Sequence, residues 1–175
     1  MFDIKDLAKE LALKLNVDNL STIEEYLQIA YDSNANIVGA IEKARARAKE
    51  KNWDYTYWFF DVHEVIIKPN YEPGKIPTEF YPDAKETLQM ISKRKDIKMH
   101  MFTCSWPHEI EQYDKLFREN DIFFDFTNNK NPEVTNNALG HYENKPYFNV
   151  CCEDKSGFLP SHWKYIKKYL EENPE

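Results

Sequence analysis

No run of apolar residues in this 175-residue chain approaches the roughly 18 to 20 needed to span a bilayer, and the acidic start Met1-Phe2-Asp3 is unlike a signal peptide. A cytoplasmic protein with no membrane partner is expected. Basic charge is also short: 23 Lys and Arg stand against 30 Asp and Glu, a formal net charge of -7. That balance disfavours nonspecific binding to DNA or RNA, which needs clustered cations to neutralise phosphates. The densest basic stretch, Lys43 to Lys51, is flanked by Glu42 and Glu50 and reads as a solvated helix face. Only three cysteines occur, Cys104, Cys151 and Cys152, with no C-x-x-C and no paired histidine spacing, so a structural zinc site is disfavoured and reduced thiols are expected. Internal repeats and low-complexity tracts are absent as well.

What is present can build a core. Hydrophobic residues make up 42% of the chain and aromatics 15%, and the length suits one domain with room for an extra helical element. Residues 1–52 read as that element, an N-terminal helical extension. Ile4, Leu7, Ala8, Leu11 and Leu15 recur at helical spacing, as do Ile23, Tyr26, Leu27, Ala30 and Tyr31, and a third helix is expected from about Asn36 to Lys51. Ser21-Thr22-Ile23-Glu24 has the form of a capping box. These apolar faces need a cover, which one another, the sheet or a second copy of the chain would supply.

From Trp53 the pattern changes to alternating strands and helices. Tyr55 to Val62 lacks polar alternation, as expected of a central strand covered on both faces. Ile66 to Thr78 contains Pro69, Pro73, Gly74 and Pro77 and reads as a loop or short hairpin flap. A helix over Pro82–Lys93, a strand over Ile97–Thr103, a helix starting near Pro107, a strand over Ile122–Phe126, an Asn-rich loop over Thr127–Asn144, a strand over Phe148–Cys152 and a helix over Ser161–Leu170 complete the series. Residues 53–175 are thus expected to form an α/β core with a mostly parallel sheet.

Polar residues close these strands in a telling order. Asp61 ends the run Tyr57-Trp58-Phe59-Phe60, and Thr103, Lys145 and the pair Glu153-Asp154 end or adjoin later strands. In an open parallel sheet such positions line the crevice at the carboxyl ends of the strands. A carboxylate nucleophile, a hydroxyl, an ammonium and a second acid site together suit a magnesium ion and a phosphate, hence phosphoryl transfer. Each residue has a plainer role available: Asp61 as a turn or cap, Thr103 as a strand former, Lys145 as a surface cation, Glu153-Asp154 as a solvated turn. Their joint order is what carries weight.

Phe-Phe-Asp61-Val-His63, Phe-Thr103-Cys-Ser105, Lys145-Pro and Cys-Cys-Glu153-Asp154-Lys-Ser-Gly resemble the four motifs of the haloacid dehalogenase-like superfamily, over roughly Tyr55 to Lys168. The resemblance implies a Rossmannoid three-layer α/β/α sandwich of the small-cap or capless type, preceded here by the helical extension. It implies a magnesium-dependent phosphatase in which Asp61 becomes an aspartyl-phosphate. Mg²⁺ would be held by Asp61, the backbone carbonyl of His63, and Asp154, with Glu153 nearby. Thr103, with Cys104 and Ser105 beside it, would receive the phosphate, and Lys145 would neutralise it. The family's phosphatases usually carry a second Asp two residues after the nucleophile; here His63 takes that place, able to carry a proton near neutral pH. A phosphorylated small molecule, a nucleotide or a nucleic-acid end is the expected substrate, the last of these not indicated by charge. The competing expectation is a catalytically degenerate module that binds a protein through its N-terminal helices. A phosphoacceptor receiver domain needs the same residue types, but in a different order along the chain.

Overall fold

The computed structural model describes residues 4–15, 19–70, 72–128 and 146–175. The chain divides into two compact units, Met1–Asn36 and Ile37–Glu175. The first holds α1 (Ile4–Leu15) and the opening turns of α2 (Leu20–Lys51). In α1, Ala8 is buried, and Lys14 reaches Glu10 one turn earlier at 2.6 Å. The two helices expected on either side of residue 36 are one: the intervening residues favour helix weakly, but no proline breaks the backbone ladder. Its start also differs from expectation. Asn19, not Ser21, lies just ahead of the first turn, and its Oδ1 accepts from the Thr22 amide at 3.3 Å. Asn caps as well as Ser does, and it comes first.

The second unit contains the rest of α2, then β1 (Thr56–Phe60), α3 (Ala84–Ser92), β2 (Ile97–Met101), α4 (Pro107–Glu119), β3 (Phe126–Thr127), β4 (Val150–Cys152) and α5 (Trp163–Glu172). The four strands form one sheet, every pairing parallel, in the order β3-β2-β1-β4. This is an α/β fold. β1 is central and wholly buried, as its unbroken apolar sequence requires. Successive side chains of a strand point to opposite faces. Trp58 and Phe60 therefore join Met99, Met101, Val150 and Cys152 in a core shared with Leu88 and Ile91 of α3, Phe117 of α4, Trp163 and Ile166 of α5, and Ile37 and Ile41 of α2. Phe60 stacks on Trp163 at 5.9 Å, and the indole N–H donates to the Val65 carbonyl at 2.7 Å. On the opposite face, Phe59 stacks on His100 at 4.4 Å and packs against Phe102 and Phe148.

One expected strand takes another form. The strand over Ile122–Phe126 shrinks to Phe126–Thr127, because Ile122 and Phe124 turn into the core. Asp125 meanwhile bonds Met99 through both its amide and its carboxylate, at 2.9 and 2.8 Å. The proline-bearing segment after β1 makes a small hairpin: Ile67 bridges Phe80 antiparallel, Glu72 bridges Lys75, and Lys68 pairs with Glu79. Most of the Asn-rich loop and Lys145 lie outside the described residues. Among the described residues, no helix is long and apolar enough to cross a membrane.

Candidate active site

The sheet order creates a switch point. From β1 the chain steps to β2 and β3 on one side, then returns to place β4 on the other. In such sheets the connections diverge where the direction reverses, leaving a crevice outside the carboxyl ends. Phe60 is in register with Met101 and with Cys152, so Asp61, Phe102 and Glu153 each stand one residue beyond a paired position. The ladder extends slightly past the strand ends: the Asp61 amide donates to the Cys152 carbonyl at 3.0 Å, and the Phe102 amide to the Phe60 carbonyl at 2.8 Å. Residues distant in sequence thereby share one rim.

Asp61, Glu153 and Asp154 converge there, each offering an oxygen within 4.8 Å of the others. Asp61 comes from the end of β1, and Asp154 opens a short 3₁₀ turn, Asp154–Ser156, directly after β4. The Asp61 carboxyl is pushed from 3.8 up to about 6, chiefly by burial and further by the Asp154 and Glu153 charges, against a 2.7 Å hydrogen bond from the Val62 amide. Three carboxylates gathered this closely repel one another unless a cation joins them. One is already at the edge: Lys155 donates to both Asp154 oxygens at 3.0 and 3.2 Å, holding that carboxyl below its usual range, and lies 3.6 Å from Glu153. An all-oxygen donor set of this kind fits a hard divalent ion such as magnesium.

The remaining expected residues stand around this rim. Thr103, two residues past β2, is buried, and its hydroxyl lies 3.0 Å from that of Ser105. Asn128 fixes the Thr103 backbone from both sides, accepting from its amide at 2.9 Å and donating to its carbonyl at 2.7 Å. Cys104 is exposed and unbonded to any other cysteine. The His63 imidazole is half-buried, with Nε2 at 2.6 Å from the Tyr113 hydroxyl of α4. Burial lowers its pKa, opposed by the Glu109 and Glu64 charges. The His63 ring is thus held by Tyr113 of α4. Lys145 falls outside the described residues, and its contribution stays an expectation.

Three residues with evident roles here had none assigned from the sequence: Tyr113, Asn128 and Lys155. A tyrosine on the inward face of a helix needs a partner for its hydroxyl, which is the signal by which Tyr113 could have been found. Asn128 adopts φ 50, a left-handed conformation that Asn tolerates, but nothing local names Thr103 as its partner. Lys155 follows the acids directly and is read most simply as their neighbour in a turn. Comparison of the chain with family models, with curated proteins and with solved structures found no match.

Proposed function

We propose that the chain is a magnesium-dependent phosphomonoesterase of the haloacid dehalogenase-like type, its sheet sandwiched between helical layers, working through an aspartyl-phosphate on Asp61. What supports the reading is the meeting of Asp61, Glu153 and Asp154 within 4.8 Å at the carboxyl rim of a parallel sheet. A bound Mg²⁺ would supply positive charge that lets one anion approach another. Asp61, Glu153 and Asp154 would hold it.

The protein's own groups then divide the chemistry. A carboxylate oxygen of Asp61 forms a bond to phosphorus as the ester oxygen departs, taking a proton from the His63 imidazolium. In the second half, neutral His63 accepts a proton from water whose oxygen attacks phosphorus, and the Asp61–phosphorus bond breaks to release inorganic phosphate. Thr103 and Ser105, fixed through Asn128, donate hydroxyls to the phosphoryl oxygens. Tyr113 orients the His63 ring. Because burial favours neutral His63, the first half is expected to run best on the acid side of neutrality. Among the described residues the segment between β1 and α3 holds a small hairpin and no large cap, so a nucleotide-sized monoester fits as substrate.

The test is phosphate release from p-nitrophenyl phosphate and from nucleoside monophosphates with and without Mg²⁺, for the wild type, Asp61→Asn and Asp154→Asn. Loss of turnover in both variants supports the mechanism; full turnover in Asp61→Asn refutes it. The placement of Lys155 on the acids favours one second reading, a binding module without turnover. Its signature is a wild type that binds Mg²⁺ yet hydrolyses none of these esters.

A further inference from the structure

At the opposite rim from the carboxylates, the last turns of α2 face the chain that leads into β1 and β4 across a cleft of about 330 Å³. Lys43 and Arg47 stand on one wall, Trp53, Tyr147 and Phe148 on the other, with Asn149 between them. Lys43 and Arg47 are four residues apart on one helix, so they project side by side. Their neighbours are spoken for: Arg45 pairs with Asp96 and Lys51 with Glu50. Among the described residues neither Lys43 nor Arg47 has a carboxylate at ion-pair distance. A second cleft nearby makes the contrast. There Arg94 and Lys98 are held by Asp96 and Asp125, which leaves Lys95 as its one cation without an ion pair among the described residues.

The aromatic wall is fixed and open at once. Asn149 accepts from the Tyr57 amide at 2.8 Å and donates to the Tyr147 hydroxyl at 2.9 Å, which pins the Tyr147 ring against the start of β1. Trp53 meets that ring edge-on at 6.3 Å. Phe148 is 40% exposed, which leaves much of its surface for a ligand. Two free cations opposite a rigid aromatic wall suit a planar ring that carries an anionic group. The volume lies at the lower end for small-molecule pockets, about the size of one nucleotide. A long polyanion fits less well, because the whole chain carries a net charge of -7.

We propose that this cleft is a binding site for a mononucleotide, the base against Phe148 and Trp53 and the phosphate on Lys43 and Arg47. It is separate from the carboxylate rim: Asn149 and Glu153 stand at opposite ends of β4, roughly 13 Å apart at about 3.3 Å per residue. The assignment does not depend on the phosphatase reading.

The experiment is calorimetric titration of the full chain with AMP in chelator, where a metal-dependent rim is silent, alongside adenosine and inorganic phosphate. AMP is expected to bind saturably and at least about tenfold more tightly than either part alone, and Lys43→Ala/Arg47→Ala is expected to weaken it about tenfold or more. Phe148→Ala should weaken AMP and leave phosphate unchanged, while Asp61→Asn should leave AMP binding intact. No saturation, equal binding of adenosine or phosphate, loss in Asp61→Asn, or tighter binding of a single-stranded oligonucleotide than of AMP would each overturn the assignment. The lysine and arginine are exposed, so their replacement tests the site without disturbing the core.

Discussion

Replacing Asp61 with Asn should make the metal-free protein more stable at alkaline pH while removing its response to magnesium. The folded state holds the Asp61 proton up to about pH 6, against 3.8 for the free group. Its neutral form is therefore the one folding prefers: stability is full below pH 3.8 and declines as pH rises through about 6. At about 1.4 kcal/mol per pH unit the shift caps the effect near 3 kcal/mol, and partial solvent contact reduces it to about 1 to 2 kcal/mol. Asn is neutral at every pH and its Oδ1 can still accept from the Val62 amide, so the variant escapes the cost. For a chain of this size that is a gain of about 3 to 6 °C in Tm. Thermal unfolding followed by circular dichroism at pH 4, 6 and 8 in chelator reads it directly. The gain should be largest at pH 8 and nearly absent at pH 4. Added Mg²⁺ at about a hundred times its Kd should then raise wild-type stability by about 2.7 kcal/mol and leave the variant unmoved. A variant less stable than the wild type at pH 8, or equally stabilised at all three values, would refute the account of Asp61 as a crowded, half-buried carboxylate.

Other consequences are independent of that one. Lys155→Met removes the cation that competes for Asp154 and Glu153, so the Mg²⁺ concentration that half-stabilises the protein should fall about two- to fivefold, read from metal titrations of Tm. Burial holds the His100 imidazole down at about 4, and among the described residues its Nε2 has no hydrogen-bond partner. Stability from that residue is full above pH 6.5 and is lost as pH falls toward 4, so His100→Phe should flatten the acid limb of the Tm profile, with a gain of about 1 to 2 kcal/mol at pH 5. Tyr113→Phe removes the hydroxyl at 2.6 Å from His63, and should lower kcat about tenfold with little change in KM and displace the His63 resonance in an NMR pH titration.

The periodic parts of the fold were legible because single-segment physics governs them. An unbroken apolar run, Tyr57 to Phe60, can only be buried on both faces, and it is the central strand. Pro107 opens α4 because a first-turn proline loses no hydrogen bond. The grouping of Asp61 with Glu153 and Asp154 followed from order alone: acids at the ends of parallel strands share a rim whichever strands are neighbours. What sequence could not supply were partners set by the crossing of distant segments. Asn128 meets Thr103 because β3 runs parallel beside β2, with the Asn128 amide still bonded to the Met101 carbonyl at 3.0 Å. The basic run on α2 looked like a uniform solvated face, yet Lys43 and Arg47 look across at Trp53 and Phe148, while Arg45, on another side of the helix, is tied to Asp96.

The same sheet order explains why the two rims differ in charge. At the carboxyl ends β1 and β4 each terminate in acids, and burial of Asp61 raises the cost of leaving them without a cation. At the amino ends of the same strands the chain enters from Trp53 and Tyr147, aromatic residues that need no counter-charge, and the cations come from α2 instead. An anionic ligand is thus repelled at one end of the sheet unless a metal is bound there, and attracted at the other without one. Magnesium dependence is therefore the quantity that separates the two ends: any nucleotide binding that survives chelation belongs to the α2 cleft, and any that appears only with the ion belongs to Asp61.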